Sequence, residues 1–176
     1  IPLFNQIMTR GLTQRYPYFI QDYSFSYAFG AWLARNYGGA QFVRRMVASR
    51  PIDESCVTSA VAAATGRSDG MTKLLQRWAV SILASGRTDM PAGYRLNKGD
   101  WFLSSAGGLE YRLGSMNFFN YDPQPAILDA SATFPPGSQP RASNVFYRAG
   151  SALTGKQSWS IRTPEGVAFS AYAAED

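Results

Sequence analysis

Apolar residues recur every three to four positions as far as residue 86 and every second position beyond residue 94, and a chain written in two periods folds as helices followed by strands. Four helical segments are legible before the switch. In residues 23–37, Phe25, Phe29, Trp32 and Leu33 fall at i, i+4, i+7 and i+8 and form one stripe, which Tyr23, Tyr27 and Ala34 carry onto the neighbouring face. A helix apolar over so much of its circumference is expected to be nearly surrounded by protein. Gly38-Gly39 offer the left-handed backbone that ends a helix without a Cβ penalty. Residues 40–49 repeat the pattern with Phe42, Val43, Met46 and Val47, and Pro51 stops it, because Arg50 before proline is pushed out of helical angles. Asp53 is placed to cap a third helix over residues 54–65, whose Cys56, Val57, Ala60, Val61 and Ala64 give a small-residue face for close packing and whose stop is Gly66. Ser68 or Asp69 is expected to cap a fourth, with Met71, Leu74, Leu75, Trp78, Ala79, Ile82 and Leu83 as its stripe and Gly86 as its end. Short turns between the four require that they pack on one another.

Beyond residue 94, residues 101–103, 109–113, 115–119, 126–134, 144–147, 158–162 and 167–172 are strand-length runs bounded by Gly, Pro, Asn or Asp. Seven of the ten prolines lie from residue 91 onward, and residues 134–140 make the clearest loop. The expected fold class is therefore α+β: a helical subdomain over residues 1–90, then a small antiparallel β module over 91–176.

Composition bounds the chemistry. With 176 residues, 45% apolar and 14% aromatic, there is ample material for a core, but charged residues reach only 16% against about 25% in an average domain. A surface covered by a partner accounts for such a deficit. There is no histidine and one cysteine, Cys56, so a His or Cys zinc site, a Ser-His-Asp triad, a Cys-His pair and an internal disulfide are all excluded. The formal charge is +5, and the excess lies in residues 1–90, with ten Lys and Arg against five Asp and Glu. The arginines are scattered singly apart from Arg44-Arg45, without the stripe or module of a nucleic-acid binder, so no nucleic-acid partner is expected. No apolar run reaches the roughly 18 residues of a membrane span, and the first residues lack the pattern of a signal peptide. A chain that begins with Ile rather than Met is expected to be a trimmed or mature product, or a fragment.

Single motifs are weaker than their order. Gly150-Ser151-Ala152-Leu153-Thr154-Gly155-Lys156-Gln157 meets seven positions of a phosphate-binding loop, but Gln157 stands where the magnesium-binding Ser or Thr belongs and a strand-like run follows; a glycine-rich turn is the expected reading. The pairs Asp53-Glu54 and Glu175-Asp176 read as a helix start and a chain end rather than as an acid/base pair. No Ser-x-x-Lys precedes any lysine. Tyr23, Tyr27 and Tyr37 either present phenols to a reaction centre or sit in a core or groove with their hydroxyls at the surface. Trp32 and Trp78 are at core spacing.

Asp22-Tyr23-Ser24-Phe25-Ser26-Tyr27-Ala28-Phe29-Gly30-Ala31-Trp32-Leu33-Ala34-Arg35-Asn36-Tyr37-Gly38 resembles the Y-x-x-S-Y-x-F-x-x-Y-L-x-x-x-Y-G helix that follows the zinc motif in bacterial hyicolysin-like metallopeptidases. The elements after it keep that order: a short helix, a small-residue helix ending Ala64-Thr65-Gly66, and Leu74-Leu75-Gln76-Arg77-Trp78-Ala79-Val80, which looks like the family's F-x-x-L-x-x-W-x-V-A segment. The resemblance covers residues 20–86. It implies a zinc cofactor for the parent protein, held by an H-E-x-x-H helix whose glutamate activates water for hydrolysis of a peptide or protein substrate. None of that motif is present here, so no metal ligand transfers to any position of this chain. Two explanations stand: a C-terminal portion of a longer peptidase, or a degenerate relative.

The leading expectation is the first, in a secreted or envelope-associated bacterial protein. The remainder of the peptidase would pack on the aromatic helix, and Tyr23 and Tyr27 would line the substrate cleft. The alternative is a non-catalytic bacterial surface-binding or adhesion module using Trp101, Phe118, Phe119, Tyr121 and Trp159.

Overall fold

The computed structural model describes residues 20–99 and 101–122, the strand residues 126–128 and 147–149, and residues 158, 160, 162, 165 and 166. Four helices come first: α1 (Ile20–Tyr37), α2 (Gly39–Ala48), α3 (Ser55–Thr65) and α4 (Met71–Leu83). An antiparallel hairpin follows, β1 (Phe102–Ala106) with β2 (Leu109–Leu113), in a register that sets Phe102 opposite Leu113 and Ala106 opposite Leu109. The class is α+β, an N-terminal helical bundle followed by a small β module.

The punctuation follows the sequence closely. Gly38 and Gly39 lie at φ 109° and 60°, so the chain leaves α1 and enters α2 through two consecutive left-handed residues. Gly66, at φ 69°, ends α3 and donates its N–H to the Ala62 carbonyl at 2.8 Å. The Asp53 carboxylate accepts the Ser55 N–H at 2.9 Å, which is the cap expected of it. The fourth helix differs. Gly70 precedes it in an extended conformation without a side-chain cap, and Asp69 is buried instead, gripping Arg77 two turns along at 2.6 Å. A carboxylate paired with a guanidinium gains more than one spent on a single helix N–H.

The β half departs from expectation in three places. Residues 115–119 form no strand: Gly114 and Ser115 lead into a 3-10 turn (Phe118–Asn120), because the Asn117 side chain accepts the Phe119 N–H and bends the chain. Ser158, Ser160 and Arg162 lie in no strand. The third departure is one of direction: β3 (Ala126–Leu128) and β4 (Tyr147–Ala149) pair in parallel, a pairing that needs a crossover rather than a hairpin. The expected features at residues 134–140, 150–157 and 167–172, with Trp159, lie outside the described residues.

The core is aromatic and is shared across residue 90. Phe25, Phe29, Trp32, Leu33, Tyr37, Phe42, Val61, Leu74, Trp78 and Ile82 are joined in one cluster by Leu96, Met116 and Phe118. Phe25 and Phe29 meet Trp78 edge-on at 5.1 and 5.0 Å between ring centroids, so α1 and α4 are held together through large rings. Small residues do the opposite for α3, whose buried Ala60 and Val61 let neighbouring backbones come close. Trp32 donates its Nε1–H to buried Ser81 at 2.9 Å, and Ser81 passes its own proton to the Arg77 carbonyl at 2.7 Å. The Trp32 indole and the Ser81 hydroxyl are thus both paired within this core.

The hairpin docks on the α1–α2 corner. Ser104 on β1 accepts the Ala40 N–H at 2.7 Å, and Gly39 is so close that a Cβ there would run into the Ser104 side chain. Arg35 on α1 reaches over the Phe102 ring and donates Nη2–H to the Gly114 carbonyl at 2.8 Å, fixing the end of β2. These two contacts set where the β module stands relative to the bundle.

Candidate functional site

α1 buries one face completely and leaves the other open. Phe25, Phe29, Trp32 and Leu33 point into the core, whereas Tyr23 and Tyr27, one turn apart, are 76% and 65% exposed. Helical geometry sets Tyr23, Tyr27, Gly30 and Ala34 within a narrow strip along the helix. The strip changes character along its length: two phenols stand at its N-terminal end, and beyond them Gly30 and Ala34 carry almost no bulk. A Cβ built on Gly30 would meet nothing within 4 Å. Phe25, Ala28, Phe29, Trp32, Leu33 and Tyr37 are buried, whereas Tyr23, Ser26 and Tyr27 are exposed and Gly30, Ala31 and Ala34 half-buried, so the expectation that α1 is nearly surrounded by protein is met on its core face and not on the side of the two phenols.

A phenol O–H donates one hydrogen bond and its ring supplies a flat apolar face. Arg35 lies two turns from Tyr27 along the same helix. Burial pulls the Arg35 guanidinium below its ordinary pKa, and the field of Tyr27 works the other way. Tyr37, the third phenol of the helix, is not in this strip. It is buried under the bundle, stacked edge-on to Trp32 at 5.5 Å, with its hydroxyl beside Arg77 but without a well-formed hydrogen bond. Burial pushes the Tyr37 pKa up, and the Arg77 charge opposes that push.

Below Tyr37, Arg77 and Asp69 form an ion pair almost closed to solvent. The Arg77 hydrogen bond holds the Asp69 carboxyl below the usual carboxylate range. Burial works against the Arg77 charge, but Tyr37 and Asp69 more than compensate and hold its pKa above the ordinary value. Sequence reasoning missed this network, and also Asn36. The Asn36 amide accepts the Gly93 and Arg95 N–H groups at 3.1 and 2.9 Å and donates to the Trp32 and Arg95 carbonyls at 2.8 Å each, pinning the segment after α4 to the end of α1. The available signal was its type, since asparagine is a poor helix former and a helical Asn next to Tyr-Gly is expected to be bonding backbone elsewhere.

The second set of candidates is divided by the fold. Phe118 is buried and Phe119 half-buried, so neither is free to hold a ligand, while Trp101 and Tyr121 are exposed together with Leu103, Leu109 and Tyr111 of the hairpin. Trp159 lies outside the described residues.

Zinc does not fit the side chains present. The chain has no histidine, and Cys56 sits half-buried on α3. Among the described residues, no three His, Cys, Asp or Glu side chains come together. Among the same residues, no helix is long and apolar enough to cross a membrane. No family model matches the chain, and no curated protein or solved structure matches it either.

Proposed function

We propose that this chain is the C-terminal portion of a hyicolysin-like zinc endopeptidase, secreted or associated with the bacterial envelope, in which α1 forms one wall of the substrate cleft. The observation that carries the reading is the open strip of α1: Tyr23 and Tyr27 stand uncovered on a helix whose opposite face is packed, and the helix bears the aromatic Tyr-Gly signature. In this reading the metal and the base that activates water reside on polypeptide preceding residue 1, and no step of the chemistry passes through the present residues except at the substrate. Their part is shape and hydrogen bonding. The floor at Gly30 and Ala34 admits a peptide backbone, and a phenol from Tyr23 or Tyr27 donates to the oxygen on which negative charge develops.

The reading is tested by the coding sequence upstream of Ile1 and by assay of the 176-residue chain. It requires an H-E-x-x-H segment upstream and no peptide cleavage by the chain alone. A full-length translation lacking that segment, or cleavage by the isolated chain, overturns it.

One observation favours a second reading. Leu103 is exposed on the face of the hairpin opposite to Leu109 and Tyr111, and with the exposed Trp101 just before β1 it offers an apolar surface that a non-catalytic binding module would use for a protein or glycan. Loss of ligand capture on Trp101→Ala with no effect of Tyr27→Phe would favour it.

A further inference from the structure

The corner between α2 and α3 carries a feature that the cleft does not use. Val43 and Val47 lie one turn apart on the outer side of α2, and Val47 is 79% exposed. Ile52, on the turn that follows, is fully exposed. Arg44 on α2 and Arg50 in the turn are exposed beside these aliphatic side chains, and Arg45 is exposed on the far flank of α2 from Val47. Among the described residues, none of the three arginines is in an ion pair with a carboxylate. Two acidic residues follow, Asp53 and Glu54, at the start of α3. The Asp53 carboxylate is turned back onto the Ser55 N–H and hydroxyl, and both charges sit at a helix N-terminus, whose dipole offsets them. The turn is held at both ends, because the Ser49 N–H and hydroxyl both donate to the Met46 carbonyl while Asp53 caps α3.

From this arrangement we infer that the α2–α3 corner docks the protein on an anionic phospholipid bilayer. The cationic groups match the headgroup charge and the aliphatic tips enter the boundary between headgroups and acyl chains. The shape decides for a bilayer over an acidic protein. Val47 and Ile52 are 79% and 103% exposed, so no neighbouring side chain shelters either; a protein partner must supply a fitted pocket for each, whereas a fluid phase closes around them. The inference is independent of the peptidase reading and concerns the opposite kind of surface from the α1 strip.

Co-sedimentation of the 176-residue chain with vesicles tests it, using phosphatidylcholine alone against phosphatidylcholine mixed with phosphatidylglycerol, over a salt series. The expected result is partition onto the anionic vesicles that falls as salt rises. The variant R44Q/R45Q/R50Q lowers that partition about a hundredfold, roughly fivefold per arginine. The variant V47S/I52S lowers it about tenfold and keeps the salt dependence. All five positions are exposed, so both variants keep the wild-type circular dichroism. Equal partition onto neutral and anionic vesicles, or wild-type binding by the arginine variant, overturns the inference. So does a concentration-dependent dimer that V47S/I52S abolishes, since the corner would then be covered by a second copy.

Discussion

Asn36 uses both lone-pair directions and both N–H bonds of its amide, and it does so across 57 and 59 positions of sequence. Removing it strands the Gly93 and Arg95 N–H groups in a partly buried place, and Asn36→Ala is expected to cost about 2–3 kcal/mol in chemical denaturation. Asp69 acts at the same scale and makes stability depend on pH. Its folded pKa is depressed by Arg77, so the unfolded chain binds more protons in acid, and the pair contributes fully above the unfolded value of about 3.9. That contribution is lost as pH falls through the depressed folded value. Denaturant midpoints measured down the acid range should therefore fall more steeply for wild type than for Asp69→Asn. The variant itself starts about 3 kcal/mol lower at neutral pH, since Arg77 keeps a buried charge without its partner. Identical acid profiles would show that Asp69 does not carry the effect.

All four helices were legible because each is amphipathic with a marked end: glycine at 38, 39 and 66, proline at 51, and the Asp53 cap. The stripes named from spacing are the buried stripes, including Phe25 to Leu33 on α1 and Leu74, Trp78 and Ile82 on α4. Two things escaped. Side chains that bond over long sequence separations leave no periodic trace, so the sequence offers Ser68 or Asp69 as a helix cap and gives no sign that Asp69 pairs with Arg77. Strand-length runs in the second half do not reveal their partners, so the 3-10 turn at Phe118 and the parallel pairing of β3 with β4 were invisible. The candidate site was half legible: spacing placed Tyr23 and Tyr27 beside the apolar stripe, but only the packed structure shows that their side of α1 stays open. At the level of elements the sharpest test is Gly39, where a side chain would require both a left-handed backbone and room that Ser104 occupies. Gly39→Ala is expected to lower stability by about 3 kcal/mol and to loosen the hairpin from α2, visible as faster amide exchange at Ala40. Unchanged stability would mean that the corner is not tightly docked.

For the whole molecule, the aromatic core explains how a chain with few charges holds together, and among the described residues of α1 Tyr23 and Tyr27 are aromatic side chains that stay outside that core. Calorimetric titration of the 176-residue chain with zinc should show no tight stoichiometric site, because the sequence has no histidine and one cysteine and no three ligand side chains come together among the described residues. A tight site would contradict the division of labour proposed between this chain and what precedes it. The most direct measurement is the kinetics of the full-length translation product on a quenched fluorescent peptide, with chelation and zinc restoration, for wild type, Tyr23→Phe and Tyr27→Phe. The account predicts zinc-dependent cleavage in which one of the two substitutions lowers kcat about a hundredfold at unchanged thermal stability. Cleavage insensitive to chelation, or to both substitutions, would contradict it.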